Sequence, residues 1–468
     1  MKIEQNSPQT PLKNFYAISR TDPALKNTGT PQMKYLLYDI LLHASILALS
    51  PYFFLKMASA GKYREGISER FGFINDKKLG FLARPGGGGG DNGPVLWVHA
   101  VSVGETRAVM PLVKALKKAR PGSRIIFSTV TKTGQKVARD EGGSAVDAVI
   151  YLPLDLSWAV KKVIRRLRPD LFIVVEKEVW PNLYNFLKEK SIPIVVVNGT
   201  ISERSFKRFL KTSFIFSEVF ANIDFFCART EGDLERALEA GVSRGRAEVV
   251  GNVKFDLNSS VDSKVLDELK KTLAIKPDER VIVAGSTHDG EEAIVIEAFG
   301  RLLDEFKGLR LVLAPRHPER FDEVERLLKG SGLDYSRRTK AGGAGTVVLL
   351  DTIGELSAVY SLAQIAFVGG SMISGVGGHN LLEPASLGKP VIYGPHLTTY
   401  LYMAEMLEAS GAGLRTGDGG ELFDTIKKLL SDDELRLNTG ARAKEVVEKN
   451  RGAVARSMEI IEGFLQKT

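Results

Sequence analysis

A chain of 468 residues has room for two or three domains, each with a full core. With 44% hydrophobic and 26% charged residues the composition is that of an ordinary folded protein, and a lone cysteine, Cys227, excludes an intrachain disulfide or a cysteine-rich metal site. The net charge of +8 points to an anionic partner: lipid, a phosphorylated substrate or nucleic acid. Nucleic acid is set aside, because neither zinc-finger spacing nor an aromatic-and-basic RNA-binding signature is present.

In chain order, residues 1–32 are polar and read as a disordered extension. The segment 33–60 carries the apolar run 35–57, long enough to cross a bilayer but interrupted by Asp39, His43 and Ser50, which share one face at helical spacing. Pro51 is expected to kink or end this helix. Three readings stand: a membrane anchor, a helix lying in the interface, or a helix packed on the domain. The cations that follow, Lys56, Lys62, Arg64, Arg70, Lys77 and Lys78, suit an anionic lipid surface. The glycine run 86–90 is a plain loop.

Strands expected at 95–98, 124–129, 148–151, 171–175, 193–197, 223–228 and 247–250 alternate with helices, which argues a doubly wound parallel sheet within 61–250. A polar linker at 251–265 follows. The alternation restarts within 266–451, with strands at 281–284, 311–314, 347–350, 365–368 and 390–393. The tail 452–468 is a further helix.

Unusual polar groups fall where strands end, the position at which open α/β sheets bind ligands. After the first strand comes His99-Ala-Val-Ser-Val-Gly-Glu105, and a carboxylate in a first helical turn suits a stabilising cap or a general base. Glu176 and Glu178 flank Lys177 after the fourth strand, placed for a substrate hydroxyl or for a solvated loop. Arg204, Lys207, Arg208 and Lys211 surround a helix start, as a phosphate clamp or a solvated basic face. In the second half, Gly285-Ser-Thr-His288 and Pro315-Arg316-His317 end two strands, and Ile353-Gly354-Glu355 opens a helix. The stretch 365–396 reads as strand, glycine loop, helix start at Asn380, and strand. In that arrangement backbone N–H groups can hold a phosphate and Glu383 reach a ribose hydroxyl; the other reading is a helix-capping acid with a flexible loop before it. No HExxH or other metal-ligand spacing is seen, so neither a metal nor a cofactor is expected.

Five of these stretches in order, HAVSVGE (99–105), EKEVWPN (176–182), GNVKFD (251–256), APRHPERF (314–321) and GGHNLLEPA (377–385), resemble the bacterial 3-deoxy-D-manno-octulosonic acid (Kdo) transferase family. The resemblance runs from about residue 33 to near the C-terminus. It implies two Rossmann-like domains facing across a cleft, the GT-B architecture, with the N-terminal one binding acceptor, the C-terminal one the sugar nucleotide, and the tail 452–468 crossing back to the first domain as a helix. It implies a metal-independent, inverting transfer of Kdo from CMP-Kdo to the lipid A precursor (lipid IVA) in lipopolysaccharide core synthesis, on the cytoplasmic face of the inner membrane.

By the same resemblance Glu105 is the general base, Glu176 and Lys254 stabilise the transition state, and Ser102, Gly104, Arg204, Lys207 and Arg208 meet the acceptor. Pro315, Arg316, Ile353, Gly354, Glu355, Asn380, Leu381, Leu382 and Glu383 line the CMP pocket. Lys177 departs from the pattern, standing where a threonine is usual. Two alternatives are a GT-B enzyme using a UDP-sugar, transferase or epimerase, and a non-catalytic membrane scaffold that binds a nucleotide.

Overall fold

The computed structural model describes residues 31–60, 65–80, 93–256, 262–340, 345–398 and 400–466. All but the last two residues of the extension 1–32, the glycine run 86–90 and the middle of the linker, 257–261, lie outside the described residues. The chain divides into two compact units, Met1–Val253 with Gly452–Thr468, and Lys254–Arg451.

The first unit holds a seven-stranded parallel sheet made of β1 (Val95–His99), β2 (Arg124–Thr129), β3 (Ala148–Tyr151), β4 (Leu171–Val175), β5 (Ile194–Gly199), β6 (Phe225–Ala228) and β7 (Ala247–Val249). Their order across the sheet is β3-β2-β1-β4-β5-β6-β7. Strands such as Leu-Phe-Ile-Val-Val in β4 are apolar at every position because helices cover both faces of a parallel sheet. On one face Trp97 meets Phe172 edge-on, at 4.8 Å between ring centroids, and its indole N–H donates to Ser128 Oγ at 2.8 Å. The other face is closed partly by the C-terminal helix Ala453–Leu465, whose Ile460, Ile461 and Leu465 pack with Leu96, Val98 and Ile173. Arg120 and Glu462 clamp that helix at 2.8 Å.

The second unit repeats the plan with β8 (Arg280–Thr287), β9 (Leu309–Pro315), β10 (Tyr335–Arg337), β11 (Val347–Leu349), β12 (Ile365–Val368), β13 (Val391–Tyr393) and β14 (Gly413–Arg415), ordered β10-β11-β9-β8-β12-β13-β14. Each unit is a Rossmann-like domain.

The N-terminal helix spans Pro31–Ala60 and runs on through Pro51, which therefore does not end it. The missing N–H removes one hydrogen bond from a helix that keeps the rest. Its polar face turns toward the protein. Asp39 accepts from the Ser157 amide at 2.9 Å, from Ser157 Oγ at 2.8 Å and from Asn182 Nδ2 at 2.8 Å. Trp158 Nε1 donates to His43 Nε2 at 3.2 Å, and Tyr35 is buried with its hydroxyl beside Asn222. Left outward are Met33, Leu36, Leu37, Ile40, Leu41, Leu47 and Leu49, all exposed. The stretch Met33–Pro51 is apolar and long enough to cross a membrane.

Candidate active site

In both sheets the strand order reverses at a pair of neighbouring parallel strands, β1 beside β4 in the first unit and β8 beside β12 in the second. Connections leave such a pair to opposite sides, so a crevice opens at the carboxyl ends of the two strands. Several of the candidate site residues follow these four strands.

After β1, Ser102 caps the helix Val103–Ala119, its Oγ accepting from the Glu105 amide. Glu105 reaches back: one carboxylate oxygen accepts from the Val101 amide at 2.7 Å, the other from Ser102 Oγ at 3.2 Å. This is a reciprocal cap, so the stabilising reading of Glu105 is realised in the fold. The group is nonetheless perturbed. Burial, and then the negative charge of Glu176, raise its pKa above the usual carboxylate range against the pull of those hydrogen bonds. His99, in the same motif, is wholly buried, hydrogen-bonded to Ser128, and pushed down to about 4 by burial. It is a neutral structural ring. Gly104 is exposed in the first helical turn.

After β4, Glu176 has a φ of +63°, a left-handed conformation rare for a side chain other than Asn, Asp or Gly. Asn198, at the end of β5 and also left-handed, holds it: Nδ2 donates to Glu176 Oε1 at 3.5 Å while Oδ1 accepts from the Val253 amide at 3.2 Å. The two left-handed residues thus hold each other in place. Glu178 joins the cluster. Burial, then the Glu105 charge, push its carboxyl up to about 7. Carboxyls whose environments raise their pKa values to different extents are the raw material of acid–base chemistry.

A raised carboxyl also costs stability when ionised. The folded state holds the Glu178 proton up to about pH 7 and the unfolded chain releases it near 4, so the contribution is full below 4 and fades as pH rises through 7. Glu178→Gln is therefore expected to be more stable than the wild type at pH 8, by about 1–3 kcal/mol, with most of that gap gone at pH 5. Denaturant melts at the two pH values measure it.

Lys254 is the first residue of the second unit, in the turn Val253–Asp256. Arg204, Lys207 and Arg208 lie exposed on the helix Glu203–Lys211, and Lys207 pairs with Glu203 at 2.7 Å. These cations form a solvated face to which an anionic group has open access.

In the second unit Pro315 ends β9 and is followed by the exposed Arg316, whose amide donates to the Thr287 carbonyl at 2.9 Å. Ile353 is 80% exposed, and Gly354 is left-handed. Glu355 accepts from Arg338 at 2.8 Å and from the Thr352 hydroxyl. Asn380 Nδ2 donates to Glu383 at 3.2 Å, and Asn380 Oδ1 accepts from the Leu382 amide. Leu381 and Leu382 are fully buried side chains, so only their backbones remain to meet a ligand.

The glycine loop after β12 differs from expectation in two ways. The helix that follows is short, Leu382–Ser386, cut off where Gly388 turns left-handed. The loop amides are also already occupied. The fully buried carboxylate of Glu291 accepts from Gly370 and His288 on one oxygen, at 2.7 and 2.9 Å, and from Ser371 and Met372 on the other, at 2.9 and 2.8 Å. Glu291 thus fills a place where a phosphate was expected. Glycine is required at 370 by a φ of +70° and by His379, whose ring would lie 2.8 Å from an added Cβ. The legible signal for Glu291 was its place in Asp289-Gly-Glu-Glu292, an acid opening the helix after β8.

The first unit matches the family model of 3-deoxy-D-manno-octulosonic-acid transferases over residues 65–257. The 3-deoxy-D-manno-octulosonic acid transferase of Haemophilus influenzae is 34% identical over 87% of this chain and 93% of its own length. That of Chlamydophila psittaci is 32% identical over 92% of this chain and 96% of its own. Among solved structures, UDP-GlcNAc 2-epimerase from Neisseria meningitidis shares the fold with a TM-score of 0.54, at 15% identity over 80% of this chain and 100% of the other. A glycosyltransferase from Rickettsia africae has a TM-score of 0.53 at 15% identity, over 81% and 100%. The fold is thus the GT-B pair of Rossmann-like domains. With relatives this similar along nearly their whole length, the chain belongs to the 3-deoxy-D-manno-octulosonic acid transferase family of glycosyltransferases.

Proposed function

We propose that the protein transfers Kdo from CMP-Kdo to a hydroxyl of the lipid A precursor, lipid IVA, in lipopolysaccharide core synthesis. The observation that carries the mechanism is the Glu105 carboxylate. It is held by the Val101 amide and Ser102 yet raised by burial and by Glu176. Such a group binds a proton more readily than a free carboxylate, as a general base must. It takes the proton of the acceptor hydroxyl as that oxygen bonds to the anomeric carbon of Kdo. The bond from that carbon to the CMP phosphate breaks, its electron pair stays on the phosphate, and attack from the opposite side inverts the centre.

Glu176 and Lys254 serve the developing charges. Pro315, Arg316, Ile353–Glu355 and Asn380–Glu383 hold CMP, and Ser102, Gly104, Arg204, Lys207 and Arg208 hold the acceptor. No step needs a metal. Incubating the protein with CMP-Kdo and lipid IVA and weighing the lipid tests the reading. A mass gain of one or more Kdo residues is expected, and an unmodified acceptor defeats it.

The membrane role follows from the N-terminal helix. Its polar side chains are spent on Ser157, Trp158, Asn182 and Asn222, so an aliphatic face looks outward. This supports a helix docked on its domain and lying on the cytoplasmic face of the inner membrane, with the apolar face among the acyl chains. Beside it Trp158, Lys161, Lys162, Arg165 and Arg166 line a groove of about 550 Å³, suited to anionic headgroups. Leu36→Glu, Ile40→Glu and Leu41→Glu together are expected to lower co-sedimentation with anionic vesicles at least about tenfold, since each buried aliphatic side chain contributes about 1.5–3 kcal/mol. Undiminished binding would remove the helix from the membrane contact.

A further inference from the structure

In the second unit the switch point between β8 and β12 is occupied by histidines. His288 follows β8, and His379 lies in the loop after β12. Their Nε2 atoms are 2.7 Å apart, and the rings are stacked with centroids at 5.0 Å. His317, next to Arg316, lies edge-on to His288 at 5.1 Å. Nε2-to-Nε2 contact at this distance fixes the tautomers. One ring donates from Nε2 and has a bare Nδ1; the other accepts at Nε2 and carries its proton on Nδ1. The pair can therefore gain one proton, at the bare Nδ1, without breaking the link. It then presents an N–H on both Nδ1 atoms and a full positive charge.

Glu291 has taken the amides of Gly370, Ser371 and Met372, so a phosphate at this strand end has the exposed Arg316 and the two rings as its nearest side-chain donors. We infer that the His288–His379 pair is an anion-binding element of the donor site that takes up a proton from solvent when the nucleotide phosphate binds. This rests on the reading of the second unit as the CMP-Kdo site.

The groups facing the pair set its resting state. Arg316 and His317 from the end of β9, Arg320 beyond them, and burial all disfavour the charge, and Glu291 alone favours it on His288. His379 is held down to about 4, chiefly by burial, and His288 lies below its ordinary value. The empty pair is neutral at pH 7. A dianionic phosphate adjacent to it reverses the balance, since an opposite charge within hydrogen-bonding reach raises a histidine by about 1–3 pKa units. Binding and protonation are then linked, and affinity for the nucleotide rises as pH falls.

Calorimetric titration of the full chain with CMP at pH 6.5, in buffers of different ionisation enthalpy, counts the protons. The expected result is uptake of about half a proton per CMP bound, none with cytidine, and affinity about twofold higher at pH 6.5 than at pH 8, the ratio that half a proton implies. His379→Asn and His288→Asn, each checked by thermal melt, are expected to bind CMP more weakly with no uptake. Uptake unchanged in both variants, or CMP bound by the wild type without uptake, overturns the inference while leaving the donor site intact. No binding of CMP by the wild type would overturn the donor reading itself, and this inference with it.

Discussion

Glu105→Gln is expected to lower Kdo transfer by about 10²–10⁴-fold, the range contributed by a positioned general base. The fold should tolerate the change well. The amide oxygen of Gln still accepts from Val101, and the helix keeps its Ser102 cap. What disappears is the ability to hold the acceptor proton. CMP affinity is expected to stay the same, because every residue assigned to CMP belongs to the second unit.

The pH profile sharpens the test. Because burial and the Glu176 charge raise Glu105, the wild-type rate should begin to fall, as pH drops, above the range of an ordinary carboxylate. Removing that charge in Glu176→Gln lowers the Glu105 pKa, so the acid limb should move to lower pH whatever happens to the maximal rate. A Glu105→Gln enzyme with normal turnover would end the mechanism, and an acid limb unmoved in Glu176→Gln would uncouple the two acids.

The second large effect is expected at Glu291. Its carboxylate accepts from four amides, and Gln would turn an NH₂ toward two of them. Leaving buried donors without acceptors costs about 1–3 kcal/mol each, so for two of them a loss of roughly 2–6 kcal/mol in stability is expected. The loop it organises carries Gly370 and leads to His379 and Asn380, so the KM for CMP-Kdo should rise about tenfold or more while the KM for acceptor holds. A variant that merely melts earlier, with both KM values unchanged, would make Glu291 a structural residue only.

The alternation of apolar runs and helix patterns in the sequence disclosed the doubly wound sheets, because a strand covered on both faces must be apolar throughout, as Val95–His99 and Leu171–Val175 are. The edge strands Tyr335–Arg337 and Gly413–Arg415 were not legible. Three residues half-exposed at a sheet margin carry no such run. Among candidate site residues, Glu105 and Glu176 announced themselves by motif and strand end. The role of Glu291 did not, since it depends on three amides some 80 residues away folding onto one carboxylate. Which of the glycine loop's amides were already taken, those of Gly370, Ser371 and Met372, was hidden for the same reason. Glycines reveal that a backbone turns sharply, not which partner has claimed its N–H groups. Asn198 was equally silent, as its importance lies in bridging Glu176 to Val253.

The return of residues from Gly452 onward to the first unit makes the second unit an insertion within the first. A ribosome releases the chain in order, so the sheet face bearing Leu96, Val98 and Ile173 must wait for Ile460 and Ile461, and Arg120 for a partner 342 residues later. The inserted unit can mature while its host is still open, and the host closes last. A nascent chain stalled short of the terminal helix would thus show a finished second unit beside a sticky, chaperone-binding first one.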